Sequence, residues 1–179
     1  MDDMKSQIIS TPLLRVLDVL LQNQGRELSD AEIVGDVSGV KRAAVHLALT
    51  KLSRMGIIRR TRTGRRCTNS IDPSHAWLVP LKIALNLLAI EPLVSRLKPI
   101  ASRVVLFGSR AHGTNREGSD FDLLVIAMDA APVLRAIREV EETERIQPII
   151  KTPGEMLELE SKEPVLVQKI REGVTLWER

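Results

Sequence analysis

The sequence predicts an α+β protein, and three observations support this class. Residues 11–55 carry apolar residues at helical spacing. Residues 57–68 form two short runs around Thr63-Gly64, the pattern of a β-hairpin. Residues 104–126 hold two apolar strand-like runs separated by a glycine-containing loop. Helices and strands that follow one another in this way, without regular alternation, are typical of α+β proteins.

Composition sets broad limits. The chain has 179 residues, enough for one or two domains, with 44% apolar and 27% charged residues. A single cysteine, Cys67, excludes an intrachain disulfide and fits a reducing cytoplasm. We expect no signal peptide after the acidic opening Met1-Asp2-Asp3. The most apolar stretch, 76–94, is interrupted by prolines and charges, so we predict no membrane span and a cytoplasmic protein.

Residues 1–10 are predicted to be an irregular arm, and three helices follow it. Thr11-Pro12 is typical of a helix start, and Gly25 of its end. Ser29 and Glu32 form a capping box that begins a short second helix. A third helix is predicted from Val40 to Met55, with a buried stripe that ends at Met55.

Basic residues are concentrated in the first part of the chain. Residues 1–75 carry 12 Lys/Arg against 8 Asp/Glu, whereas residues 76–179 carry 14 against 15. Lys41 to Arg66 contains nine basic side chains and no acid. Such clustering indicates a polyanionic partner. The alternative is a basic face that is merely solvated.

Three helices followed by a basic hairpin resemble a winged helix-turn-helix DNA-binding domain, which we assign to residues 1–73. That resemblance implies a third helix in the major groove of duplex DNA and a wing on the phosphates. The residues that it places against DNA are Lys41, Arg42, His46, Lys51, Arg54, Arg59, Arg60, Arg62, Arg65 and Arg66. Winged helices also mediate protein contacts, and His46 could equally be an ordinary exposed helix residue.

Residues 74–99 are predicted to form a connecting helix that is apolar on nearly all sides. A helix of this kind is buried on several sides. It would lie between two domains or form the seam of a homodimer.

The stretch from Val104 to Met128 carries the chemistry. The apolar run Val104–Phe107 stops at Gly108, which allows a tight turn and close approach of a ligand to the backbone. Ser109 then begins a short helix, whose free N–H groups attract phosphate.

Asp120 and Asp122 flank Phe121 at the start of the second apolar run. Side chains alternate along a strand, so the two carboxylates share one face. Beside a phosphate-binding turn, this pair predicts a divalent-metal site for a nucleoside triphosphate. The alternative is that both acids simply solvate a strand start.

The segment GSRAHGTNREGSDFDLLV resembles the signature of the polymerase-beta-like nucleotidyltransferase superfamily, and is most similar to minimal nucleotidyltransferases. We assign residues 100–179 to such a domain, with a mixed sheet. The resemblance implies that Asp120 and Asp122 hold Mg²⁺ and are catalytic, and that Gly108 and Ser109 hold phosphates.

Arg110 and Arg116 are candidate phosphate clamps, with exposed surface arginines as the alternative. Relatives use a third acid on the strand after the next helix. That helix is predicted from Ala131 to Arg145, and the aligned strand position holds Gln147, which cannot act as a base. Glu144 lies three residues earlier. Nucleotide and magnesium binding is therefore better supported than turnover.

Two functions remain open on the sequence. One is transfer of NMP from an NTP, most simply ATP, to a macromolecular hydroxyl. Some minimal nucleotidyltransferases act in this way as antitoxins on a HEPN-type toxin, and such antitoxins often repress their own operon. The other is a non-catalytic DNA-binding transcriptional regulator whose transferase-like domain binds nucleotide or a partner protein. RNA modification is a third reading, which the scarcity of aromatic residues disfavours.

Overall fold

The computed structural model describes residues 11–64, 66–140 and 145–179, which form two compact units. The first unit extends to Lys82 and the second begins at Ile83. The division falls inside the predicted connecting segment. The predicted arm at residues 1–10, Arg65 and Glu144 lie outside the described residues.

The first unit contains three helices and a small antiparallel sheet among its described residues. Its elements are α1 (Pro12–Gln22), β1 (Leu28–Ser29), α2 (Asp30–Asp36), α3 (Arg42–Arg54), β2 (Arg59–Thr63) and β3 (Arg66–Ser70). The strand order is β1-β3-β2. The helices and the hairpin lie at the predicted positions. Strand β1 was not predicted, because its two residues are too few to show the alternation of apolar and polar side chains that indicates a strand.

Local caps explain where these helices begin. The Thr11 hydroxyl accepts a hydrogen bond from the Leu14 N–H, and Ser29 and Glu32 form the predicted capping box. The prediction that Met55 ends the buried face of α3 is wrong. Met55 is 57% exposed, because α3 ends at Arg54 and Met55 lies beyond its last turn.

Helix α4 (Leu78–Leu97) begins in the first unit and continues into the second. The sequence predicts no membrane span here, yet by length and composition alone α4 could cross a membrane. The same composition is found in the core helices of globular proteins. Consistent with that, Leu93, Val94 and Leu97 are fully buried in the core of the second unit.

The second unit is built on a four-stranded sheet. Its remaining elements are β4 (Arg103–Phe107), α5 (Gly108–Ala111), β5 (Phe121–Ile126), α6 (Ala130–Arg138), β6 (Ile146–Lys151), α7 (Pro153–Lys162), α8 (Pro164–Arg171) and β7 (Val174–Glu178). The order is β6-β5-β4-β7, with β5 parallel to β6 and the other pairs antiparallel. The α+β class with a mixed sheet is thereby confirmed.

Strand β5 is central and covered on both faces, as its continuous apolar run predicts. Leu123 and Val125 belong to the core cluster that also contains residues of α4 and α6. Leu124 belongs to a second cluster, which contains Val167 and Ile170 of α8. This double burial holds the amino-terminal end of β5 rigidly, and the two aspartates lie there.

The predicted helix from Ala131 to Arg145 is too long. Helix α6 ends at Arg138, and the N–H of Glu139 bonds to the carbonyls of Arg135 and Ile137. The acid-rich sequence that follows is unfavourable at a helix carboxyl end, where the dipole is negative.

Candidate functional site

The glycine turn and the aspartate pair meet in the structure. Strands β4 and β5 pair so that Phe107 lies opposite Asp122, and Gly108 follows with φ +70°. A Cβ built at Gly108 would overlap Asp122 Oδ2 and lie 3.1 Å from Asp122 Cγ. The position therefore requires glycine for both its conformation and its space. The Asp122 carboxylate lies directly against the turn that begins α5.

Asp120 is held by the residue at the third-acid position. In the parallel pairing of β5 and β6, Asp122 lies opposite Gln147. The Gln147 Nε2 donates to Asp120 Oδ2 at 2.6 Å. Gln147 therefore lies beside the aspartate pair, and its equivalence to a third acid stays a prediction. A carboxamide there can orient Asp120, but it cannot take a proton from a hydroxyl.

Electrostatics at the pair favour a bound cation. Burial raises the pKa of Asp122, and the negative charge of Asp120 raises it further. Lys169 of α8 acts in the opposite direction and lowers the pKa of Asp122. A divalent cation bound between two carboxylates would remove their mutual repulsion, and Mg²⁺ prefers oxygen ligands of this kind. The two carboxylates therefore fit Mg²⁺. Within residues 11–64, 66–140 and 145–179, no cluster of three His, Cys, Asp or Glu could hold a metal.

Lys169 was not predicted from the sequence. Nothing near it resembles a motif, and it acts on Asp122 only because α8 packs on the sheet through Val167 and Ile170. It adds a positive side chain to a site that is otherwise acidic. Arg116 is exposed in the loop before Asp120, and its phosphate contact stays a prediction.

The structure argues against the predicted phosphate contact of Arg110. This side chain is 6% exposed. Its Nε and Nη2 donate to the Ser119 carbonyl, at 3.0 and 2.6 Å, and its Nη1 donates to Asn86 Oδ1 at 3.1 Å. The guanidinium lies 3.9 Å from the centroid of the Phe121 ring. These contacts direct Arg110 into the protein and away from a ligand.

In the first unit, most of the predicted DNA-facing residues are exposed. The exposed ones are Lys41, Arg42, Lys51, Arg54, Arg59, Arg62 and Arg66. Arg65 lies outside the described residues, so its predicted contact has no structural counterpart.

His46 and Arg60 have partners inside the unit, which argues against the DNA contacts predicted for them. Asp30, at the start of α2, accepts from Arg60 Nη2 at 2.6 Å and lies 3.1 Å from His46 Nδ1. Its other oxygen accepts from Asn69 Nδ2 at 2.8 Å. Asp30 therefore links α2, α3 and the hairpin. The Arg60 side chain is 22% exposed in this contact, and that of His46 is 38% exposed.

The overlap at Gly108 predicts a selective loss in Gly108→Ala. Alanine at a positive φ costs about 1–2 kcal/mol, and here it must also displace Asp122. Gly118→Ala is the matched control, because Gly118 has φ +79° with nothing within 4 Å of an added Cβ. We expect Gly108→Ala to lose Mn²⁺ binding, followed by electron paramagnetic resonance, while Gly118→Ala keeps it. Equal Mn²⁺ affinity in the two variants would contradict this account.

The raised pKa of Asp122 predicts that Asp122→Asn stabilises the protein at neutral pH. Ionised Asp122 costs the folded state stability above its folded pKa, and the cost disappears as the pH falls to its unfolded value. The variant should therefore melt at a higher temperature than the wild type at pH 7, with a smaller difference near pH 4. Circular dichroism melts check this, with Glu117→Gln as an exposed control. A lower melting temperature for Asp122→Asn at pH 7 would refute it.

Comparisons with known proteins identify a family for the second part of the chain. Residues 90–179 match the family described as polymerase beta, nucleotidyltransferase. A solved structure at 1.40 Å of a candidate nucleotidyltransferase from Sulfolobus solfataricus is 19% identical, with a TM-score of 0.41 over 60% of this chain and 94% of that one. No curated protein matches. By its family match, which spans half of its length, the chain belongs to the polymerase beta nucleotidyltransferase family.

Proposed function

We propose that the second unit is a Mg²⁺-dependent nucleotidyltransferase that moves NMP from an NTP, with ATP the expected donor, to a hydroxyl of a macromolecule. The observation that carries this proposal is the contact of the Asp122 carboxylate with the turn at Gly108, with Asp120 two residues away. That contact puts a metal-binding acid beside a backbone turn suited to phosphate.

The roles of the chain's own residues follow from this arrangement. Carboxylate oxygens of Asp120 and Asp122 would hold Mg²⁺, which supplies neutralisation of charge on the triphosphate. Backbone N–H groups at Gly108 and Ser109 would contact the phosphates. Arg116 and Lys169 would add positive charge around them.

In the transfer, the acceptor oxygen bonds to the α-phosphorus, the bond to the bridging oxygen breaks, and pyrophosphate leaves. Gln147 cannot accept the acceptor's proton, so this proton passes to solvent. The rate then depends chiefly on positioning and charge stabilisation.

A second candidate is a non-catalytic nucleotide or partner sensor. The hydrogen bond from Gln147 to Asp120 favours it, because an amide occupies one oxygen of a metal-binding acid and replaces the expected base.

Transfer of label from α-³²P-ATP with Mg²⁺ to candidate acceptors separates the two functions. The transferase predicts label on a macromolecule that disappears in Asp120→Ala and Asp122→Ala and persists in Glu117→Gln. Gln147→Glu should increase transfer, since a general base contributes about 10²–10⁴-fold. Saturable Mg²⁺-dependent nucleotide binding without transfer, in both wild type and Gln147→Glu, would support the sensor and overturn the transferase.

We also propose that the first unit is a winged helix that binds duplex DNA. Its exposed basic side chains on α3 and the hairpin support this, together with the helices that precede them. On this proposal the protein is an antitoxin-type regulator of its own operon, with a HEPN-type toxin as acceptor. A cytoplasmic homodimer on a two-fold DNA site belongs to the same proposal.

If the first unit binds DNA, its affinity should fall steeply as salt rises, and removing basic side chains should reduce that dependence. Replacing Arg59 and Arg62 by Gln should lower the slope of log K against log salt by about 0.9 for each phosphate that is no longer neutralised. Arg135→Gln with Arg138→Gln, exposed arginines of α6, is the matched control and should leave the slope unchanged. Fluorescence anisotropy with duplex DNA measures both. Equal slopes for both pairs would remove the wing from the DNA interface.

A further inference from the structure

A buried polar side chain interrupts the apolar helix α4. Asn86 is 1% exposed and stands among leucines and alanines. An amide that is buried without hydrogen bonds destabilises the folded state. Asn86 is therefore expected to have partners, and they identify what it does.

The partners of Asn86 all lie in the segment between β4 and β5. Its Nδ2 donates to the Arg110 carbonyl at 2.9 Å and to Asn115 Oδ1 at 3.0 Å. Its Oδ1 accepts from Arg110 Nη1 at 3.1 Å. Asn115 is itself 1% exposed. One side chain of α4 thus holds the loop that leads from the glycine turn to the aspartates.

Arg110 continues this set of contacts to the aspartates themselves. Its guanidinium donates twice to the Ser119 carbonyl and packs on the face of the Phe121 ring. Ser119 precedes Asp120, and Phe121 separates Asp120 from Asp122. Arg110 therefore holds the residues on both sides of Asp120 from inside the protein.

We propose that Asn86, Arg110 and Asn115 form a positioning latch for the aspartate pair. The latch fixes the loop of residues 112–119 and thereby the distance between Asp120 and Asp122. It rests on the proposed function in one respect, namely that the pair binds a divalent cation. Its consequence is that the site weakens when the latch opens, although every metal ligand remains.

A merely structural role would lower stability alone, so the test measures metal affinity and local motion as well. The full-length chain is used, with Mn²⁺ as the probe. Arg110→Met keeps the length and an apolar contact with Phe121 but removes the guanidinium and its hydrogen bonds to Ser119 and Asn86. Arg110→Lys keeps the positive charge but loses the planar guanidinium, which donates several hydrogen bonds in a fixed geometry. Arg135→Met is the matched control on an exposed arginine.

We expect Arg110→Met to weaken Mn²⁺ binding by about tenfold, the lower end of the effect of losing an outer-shell partner. Hydrogen exchange at residues 112–121 should accelerate in the same variant. Arg110→Lys should show an intermediate loss, and Arg135→Met no change. If Arg110→Met does not fold, Asn115→Ala replaces it. This variant removes only the side-chain amide of Asn115, and its Mn²⁺ affinity and hydrogen exchange are measured in the same way.

A lower melting temperature with unchanged Mn²⁺ affinity in folded Arg110→Met would overturn the positioning role. Unchanged exchange at residues 112–121 would overturn the latch itself. A wild-type chain that binds no Mn²⁺ would instead overturn the proposed metal site, and hydrogen exchange alone would then decide whether the latch holds the loop.

Discussion

The contact between the Asp122 carboxylate and the Gly108 turn is the constraint on which the second unit depends. It requires a residue without Cβ at Gly108, a positive φ there, and antiparallel pairing that places Phe107 opposite Asp122. Each of these conditions brings an acid against the backbone that begins α5. Burial of β5 on both faces keeps this geometry rigid, because its side chains pack into two separate core clusters.

Holding the ionised aspartates together destabilises the folded state, and a bound cation would remove that destabilisation. The pKa of Asp122 is raised by burial and by Asp120, so the ionised pair opposes folding in the absence of a cation. A site that destabilises its own fold in this way is typical of function, since stability alone would favour amides at these positions. Gln147 donates a hydrogen bond to Asp120 beside this pair, and a carboxamide there cannot act as a base.

The first unit uses charge in two distinct ways. Asp30 gathers His46, Arg60 and Asn69 and so connects a helix start to α3 and to the hairpin. The remaining exposed basic residues of the unit carry positive charge outward, where a polyanion could bind. Arg60 points to the opposite face of the hairpin from Arg59 and reaches Asp30, whereas Arg62, on the same face as Arg60 but nearer the turn, is exposed.

The sequence by itself determined the α+β class, the three amino-terminal helices with their hairpin, and the meeting of the glycine turn with the aspartates. Each of these depends on local rules: apolar periodicity, capping residues, a glycine after a strand, and alternation along β5. The sequence resemblance also singled out Gln147, which donates a hydrogen bond to Asp120 in the structure. Only the tertiary structure shows that Arg110, Arg60 and His46 have partners inside the protein. In the sequence they resemble ordinary surface residues. Their partners Asn86 and Asp30 lie on other elements, and the Arg110–Asn86 and Arg60–Asp30 bonds span 24 and 30 residues. Whether an arginine faces solvent or a buried amide depends on which elements pack together, and local sequence rules carry no information about that packing.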